Sequence, residues 1–174
     1  QSLRLADSVF GQTVSGKWVY QSEVIDYVEE DLFMAPDLST IRKIPWNKEP
    51  TAQIICDLNY PSGEPSKIAP RQVLKNIIRQ LSDENLKAVV APELEFYLCE
   101  QNLDPDLPLK TPVGKSGRRE TGSRVFGIDA VNEFDKLTDD IYDYCELMNI
   151  GVDTLVHESG PSQIEINLNH GDPL

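Results

Sequence analysis

The sequence has 174 residues, 40% of them hydrophobic, enough to bury a real core in one or two domains. Its 16 basic residues stand against 29 acidic ones, a formal net charge of -13, which argues against nucleic acid or an anionic membrane as the main partner. Cys56, Cys99 and Cys145 are odd in number and lack ligand or redox spacing, and no apolar stretch approaches membrane-spanning length, so a reducing, cytoplasmic setting is expected.

The opening residues, Gln1 to Asp7, lack the apolar core of a secretory signal, and a start at Gln1 suggests that upstream residues are missing. Up to about Tyr60 the chain reads as short strands and turns, with strands expected at Ser8–Val14, Lys17–Tyr20, Asp31–Met34, Thr40–Ile44 and Ala52–Leu58. Together they predict a small β-rich unit. Pro61-Ser62-Gly63-Glu64-Pro65 is a loop, and Pro70 then opens a helix over 71–81 in which Val73, Leu74, Ile77, Ile78 and Leu81 share one stripe.

The segment Val89 to Leu98 predicts a strand that carries Glu93 and Glu95 on one face, about 7 Å apart along the backbone. Val90, Leu94, Phe96 and Leu98 occupy the other face, and Val89, Ala91 and Tyr97 flank the glutamates, so the strand is expected to be covered on both sides. A lone Glu-x-Glu is as a rule a solvated strand face. Apolar flanks weaken that reading here, because a carboxylate among apolar neighbours needs compensation, which hard cations supply.

Residues 101–124, rich in Pro, Gly and charge, predict a functional or mobile loop holding the basic cluster Lys115, Arg118, Arg119 and Arg124, which suits a phosphate or carboxylate, or merely solvent. Asp129 then reads as the N-cap of a helix to about Asn149, with Val131, Phe134, Leu137, Ile141, Cys145 and Met148 facing the core and Gly151 ending it. In the last strand Ile164, Ile166 and Leu168 alternate with Gln163, Glu165, Asn167 and Asn169, placing Glu165 on a polar face. Gly160-Pro161 forms a tight connection able to bring Glu158, beside His157, to the same side. Glu158 as a turn residue and Glu165 as an exposed strand residue is the plainer alternative.

Glycine-rich phosphate loops of the Walker and dinucleotide types are absent. With His157 and His170 as the sole histidines, zinc is a poor fit, whereas four carboxylates match the oxygen preference of Mg2+ or Mn2+.

Ala35-Pro36-Asp37-Leu38-Ser39-Thr40, Ile44-Pro45-Trp46, Ala69-Pro70-Arg71-Gln72-Val73-Leu74, Pro92-Glu93-Leu94-Glu95-Phe96 and the Glu158 to Glu165 segment stand in an order that resembles the glutamine synthetase superfamily. The resemblance implies an α+β chain: a small β-grasp-like N-terminal domain, 1–68, followed by the truncated start of a glutamine synthetase-type catalytic α/β domain, 69–174. It further implies that Glu95, Glu158 and Glu165 hold one metal beside glutamate, that Glu93 serves a second metal at the nucleotide phosphates, and that Asp153 contacts ATP. His157 then resembles a neighbour of the site and not a ligand.

The chemistry that follows is ATP-dependent amide formation through γ-glutamyl phosphate, with Mg2+ or Mn2+ at two sites and glutamate, ATP and a small amine as substrates. The segments His157 to Asn167 and His170 to Leu174 are most similar to the branch that glutamylates polyamines or other amines. Near Ser15-Gly16-Lys17-Trp18 there is no equivalent of the Asp-Gly-Ser segment that forms the ammonium pocket in the ammonia-using branch. An ammonia-using glutamine synthetase and a non-catalytic fragment or scaffold are the alternatives. The resemblance places no catalytic side chain within this chain: the family's histidine, arginines and most of its ATP pocket lie past Leu174. The chain alone is therefore expected to be inactive, and its full-length parent to form a homo-oligomeric ring.

Overall fold

The computed structural model describes residues 3–19 and 28–174, which divide into two compact units. One comprises residues up to Ile44, Glu49–Ala88 and Asp172–Leu174; the other comprises Pro45–Lys48 and Val89–Gly171.

In the first unit β1 (Arg4–Ala6), β2 (Asp31–Pro36) and β5 (Cys56–Asn59) form an antiparallel sheet in the order β1-β2-β5, and β3 (Arg42–Lys43) pairs with β4 (Ala52–Gln53). Leu32, Leu58 and Ala69 make the core, with Leu5, Phe10, Met34 and Tyr60 packed around it. Helix α1 (Pro70–Asp83) starts at Pro70, whose missing N–H costs nothing at a helix start. Arg71 donates to Asp37 at 2.6 Å and Asp57 at 2.8 Å, and Lys75 to Asp57 at 2.5 Å, which ties the first two turns of α1 to β5 and the segment after β2.

Several expected strands are corrected. Ser8–Val14 is no strand: Asp7–Phe10 is a 3-10 turn, because Asp and Ser favour local turns and the Ser8 carbonyl accepts the Gly11 N–H. Beyond it Gln12 and Trp18 make a single bridge, and Tyr20 lies outside the described residues. Thr40–Ile44 shortens to β3 because Asp37 caps the Ser39 N–H and closes a 3-10 turn over Leu38–Thr40. The Thr40 hydroxyl then takes the Ile55 N–H at 2.9 Å, which divides the expected Ala52–Leu58 strand into β4 and β5, each with its own partner.

The second unit is built on an antiparallel sheet in the order β6-β8-β7, with β6 Glu93–Tyr97, β7 Val152–His157 and β8 Gln163–Leu168. The helical segment before β7 is broken into α2 (Ile128–Val131), a 3-10 turn and α3 (Asp135–Leu147). Asp129 is not its N-cap; Gly127 is, with extended backbone, and Asp129 instead pairs with Arg124. The expected stripe largely holds, with Met148 buried and Val131, Phe134, Ile141 and Cys145 half-buried; Leu137 alone is exposed, and beside it Thr138 is buried with its hydroxyl satisfied on the Asp135 carbonyl. Asn149, at φ 56°, ends the helix in the left-handed conformation two residues before Gly151. Trp46 lies against Tyr144 with ring centroids 5.7 Å apart.

The cysteines form no disulfide, and burial pushes the Cys145 thiol up. Among the described residues no helix is long and apolar enough to cross a membrane.

Candidate metal centre

The β6-β8-β7 sheet sorts its side chains by pleat. Antiparallel register puts Glu95 opposite Glu165, Glu93 opposite Asn167 and Tyr97 opposite Gln163; Val156 of β7 stands opposite Glu165 on the far side. Directly paired residues project from the same face. Glu93, Glu95, Gln163, Glu165 and Asn167 therefore share one face, while Leu94, Phe96, Ile164, Ile166 and Leu155 share the other. Ile164 is fully buried there, the anchor of that apolar face.

Glu93, Glu95 and Glu165 each offer a carboxylate oxygen within 4.8 Å of the others. The donor set is all oxygen and triply anionic, which suits a hard divalent cation and no soft one. Flanking amides orient it: Gln163 Nε2 donates to Glu95 Oε2 at 2.8 Å, and Asn167 Nδ2 donates to Glu165 Oε1 at 2.7 Å. Gln163 also accepts the Gly160 N–H at 2.8 Å, so its amide is held at both ends. Among the described residues no Lys, Arg or His pairs with any of the three carboxylates. The residues present thus fit a divalent ion.

The expected cover over β6 is corrected. Glu93, Leu94, Glu95 and Tyr97 are exposed, because β6 is the edge strand of its sheet and Glu93 and Glu95 face solvent. Exposure explains how three like charges coexist: two unit charges 4 Å apart repel by about 1 kcal/mol in bulk water and by several-fold more in a low-dielectric interior.

Glu158 continues the β7 pairing by one residue, its N–H donating to the Gln163 carbonyl at 2.8 Å, which puts it on the same face as the other three glutamates. Its carboxylate, however, turns back onto the Ser159 N–H and hydroxyl at 3.0 and 3.2 Å and is not among the converging oxygens. Asp153 is exposed where the β7–β8 register shifts between Val152 and Thr154, a bulge at the opposite end of β7 from Glu158.

His157 lies on the opposite, apolar face and is fully buried. Its Nε2 meets Glu120 Oε2 at 2.7 Å and its Nδ1 the Glu158 carbonyl at 2.8 Å. The sequence carries no signal for Glu120. It sits in an irregular loop among basic residues, and nothing in its local spacing announces a partner 37 positions away.

The basic residues of that loop are largely compensated: Lys115 pairs with Asp135 at 2.7 Å, Arg119 with Glu100 and Arg124 with Asp129. Lys115 holds the Asp135 carboxyl below its ordinary range, and the Ser116 N–H does the same for Glu133. Arg118, Arg124, Glu120 and Glu133 line a cavity of about 460 Å³.

Residues 67–174 match the model of the glutamine synthetase catalytic domain. A gamma-glutamylputrescine synthetase, PuuA, of Escherichia coli (strain K12) is 32% identical over 167 residues, covering 95% of this chain and 35% of that protein. A glutamate–isopropylamine ligase of Pseudomonas sp is 29% identical over 83% of this chain and 31% of its own length, and a glutamine synthetase of Mycobacterium bovis 30% identical over 84% and 32%. Among solved structures, a novel glutamine synthase homolog superposes with a TM-score of 0.75 at 16% identity, covering 97% of this chain and 36% of the other. The chain thus spans about a third of the length of these relatives.

Proposed function

The chain belongs to the glutamine synthetase catalytic-domain family, and from that membership we propose that it supplies the carboxylate wall of an ATP- and divalent-metal-dependent ligase joining glutamate to an amine. The reaction is formation of a γ-glutamyl amide through γ-glutamyl phosphate, with a polyamine or similar small amine as acceptor. The observation that carries this reading is the convergence of Glu93, Glu95 and Glu165 on one sheet face, with Glu158 continuing that face.

Glu95 and Glu165, with Glu158 on the same face, would hold Mg2+ or Mn2+ next to glutamate, and Glu93 would serve a second ion at the phosphates of ATP. Divalent ions supply charge neutralisation for phosphoryl transfer and acyl displacement. The chain's own residues fix the carboxylates: Gln163 and Asn167 orient Glu95 and Glu165 by donated hydrogen bonds, and the sheet register sets their spacing. Asp153, re-aimed by its bulge, is the acidic contact for ATP. Residues 1–68 are taken as a β-grasp-like domain and 69–174 as the opening of the catalytic domain, a division supported by the matched span of 67–174. A homo-oligomeric ring in the cytoplasm completes the proposal.

Two relatives named for amine acceptors, putrescine and isopropylamine, support an amine as nucleophile. Ammonia is the competing acceptor, because proteins named glutamine synthetase match at 30% identity against 32% for the putrescine enzyme. A scaffold without catalysis is the third reading, and it is disfavoured by carboxylates that repel without an ion.

Product analysis decides among them. The complete gene product, incubated with ATP, glutamate, Mg2+ and either putrescine, isopropylamine or ammonia, is expected to release phosphate and form the γ-glutamyl amide of an amine. Phosphate release with ammonia alone moves the protein to the glutamine synthetases, and no acceptor-dependent release leaves the scaffold.

A further inference from the structure

Glu120 is a largely buried acidic group that the proposed chemistry leaves unused. Its side chain is 10% exposed, and its Oε2 takes two partners from opposite ends of the β7–β8 turn, the His157 ring and the Ser162 N–H at 2.5 Å. Its other oxygen, Oε1, is buried without a partner. A carboxylate brought so far out of water is costly unless it satisfies groups that would otherwise be stranded.

The two groups it satisfies are placed to matter. His157 precedes Glu158 and Ser162 precedes Gln163, the residue that holds Glu95. A carbonyl oxygen can only accept, so Nδ1 of His157 donates to the Glu158 carbonyl, and Nε2 lies against Glu120 Oε2. Ser162 has φ 57°, a conformation that side-chain-bearing residues adopt at a cost, and its N–H is turned inward onto Glu120. The Phe126 N–H meets the His157 carbonyl at 2.8 Å, so the loop that carries Glu120 is pinned to the same strand end.

We propose that Glu120 is a positioning residue for the carboxylate site, clamping both strand ends of the β7–β8 turn through His157 and Ser162 and so fixing where Glu158 and Gln163 stand. The inference rests on the reading of Glu93, Glu95, Glu158 and Glu165 as a divalent-metal site. It needs no contact between Glu120 and the ion, from which it is separated by the sheet itself.

The test is Mn2+ titration by electron paramagnetic resonance on this chain as wild type, Glu165→Gln, Glu120→Gln and Glu120→Ala, with nuclear magnetic resonance of the His157 ring protons. Wild type is expected to bind and Glu165→Gln to lose binding. Glu120→Ala is expected to weaken Mn2+ by about 10- to 100-fold, as loss of an orienting partner does, and to shift the His157 ring-proton signals. Glu120→Gln, which keeps a hydrogen-bonding group in place, is expected to recover part of the affinity. Equal affinity in wild type and Glu120→Gln with unchanged ring signals, even where Glu120→Ala fails to fold, overturns the role of Glu120 while leaving the metal reading intact. A wild type that binds no Mn2+ overturns both.

Discussion

Glu95 and Glu165 stand directly opposite one another across the β6–β8 ladder, like charges at a position where sheets ordinarily place complementary ones. Without a cation this pair works against folding. Glu165→Gln is therefore expected to raise the metal-free stability by several tenths to about 1 kcal/mol, the range of cross-strand pair energies. Chemical denaturation in chelator checks it. The same substitution is expected to abolish the stabilisation that Mg2+ gives the wild type. A variant less stable than wild type in chelator would mean that the pair is not repulsive.

Asp37 sets an acid limit on the first unit. The Ser39 hydroxyl at 2.6 Å, then Arg71, lower its pKa from 3.8 to about 2. Because the folded value lies below the unfolded one, this contribution is complete above pH 4 and is lost as pH falls toward 2. Thermal melts from pH 6 to pH 2 are expected to show Asp37→Asn less stable than wild type near neutrality, with the difference shrinking over pH 4 to 2. A constant difference would remove Asp37 from the acid response.

Gly127 caps α2 with no room for a side chain: a Cβ there would lie 2.8 Å from the Arg124 carbonyl oxygen. Backbone cannot swing aside as a side-chain tip can, so Gly127→Ala is expected to cost about 1–3 kcal/mol. Gly160→Ala makes a contrast. Its Cβ would meet the tip of the exposed Tyr97 ring at 2.5 Å and Gln163 Oε1 at 2.9 Å. Both can move, so stability is expected to change little while Mn2+ affinity falls through the displaced Gln163. Parallel melts and titrations of the two variants separate these effects.

The parts of the fold legible in the sequence were those with local causes. Pro70 and the apolar spacing marked α1, and the alternation around Ile164 and Ile166 placed Glu165 on a polar face. The exposure of β6 was not legible, because Leu94 and Phe96 read the same in a central and an edge strand, and only the order β6-β8-β7 decides between them. Asp129 had the chemistry of an N-cap but was drawn to Arg124, leaving the cap to Gly127. Asp37 was visible as part of a motif and its bonds to Ser39 are local, but its pairing with Arg71 depends on α1, 34 residues away. Of the four glutamates singled out, three converge, and Glu158 shares their face with its carboxylate turned to Ser159.

The most direct test is divalent-metal binding at the sheet face. Mn2+ titrated into this chain is expected to bind saturably, to compete with Mg2+, and to be lost on Glu95→Ala. Binding that does not saturate, or that Glu95→Ala leaves unchanged, would contradict the metal centre.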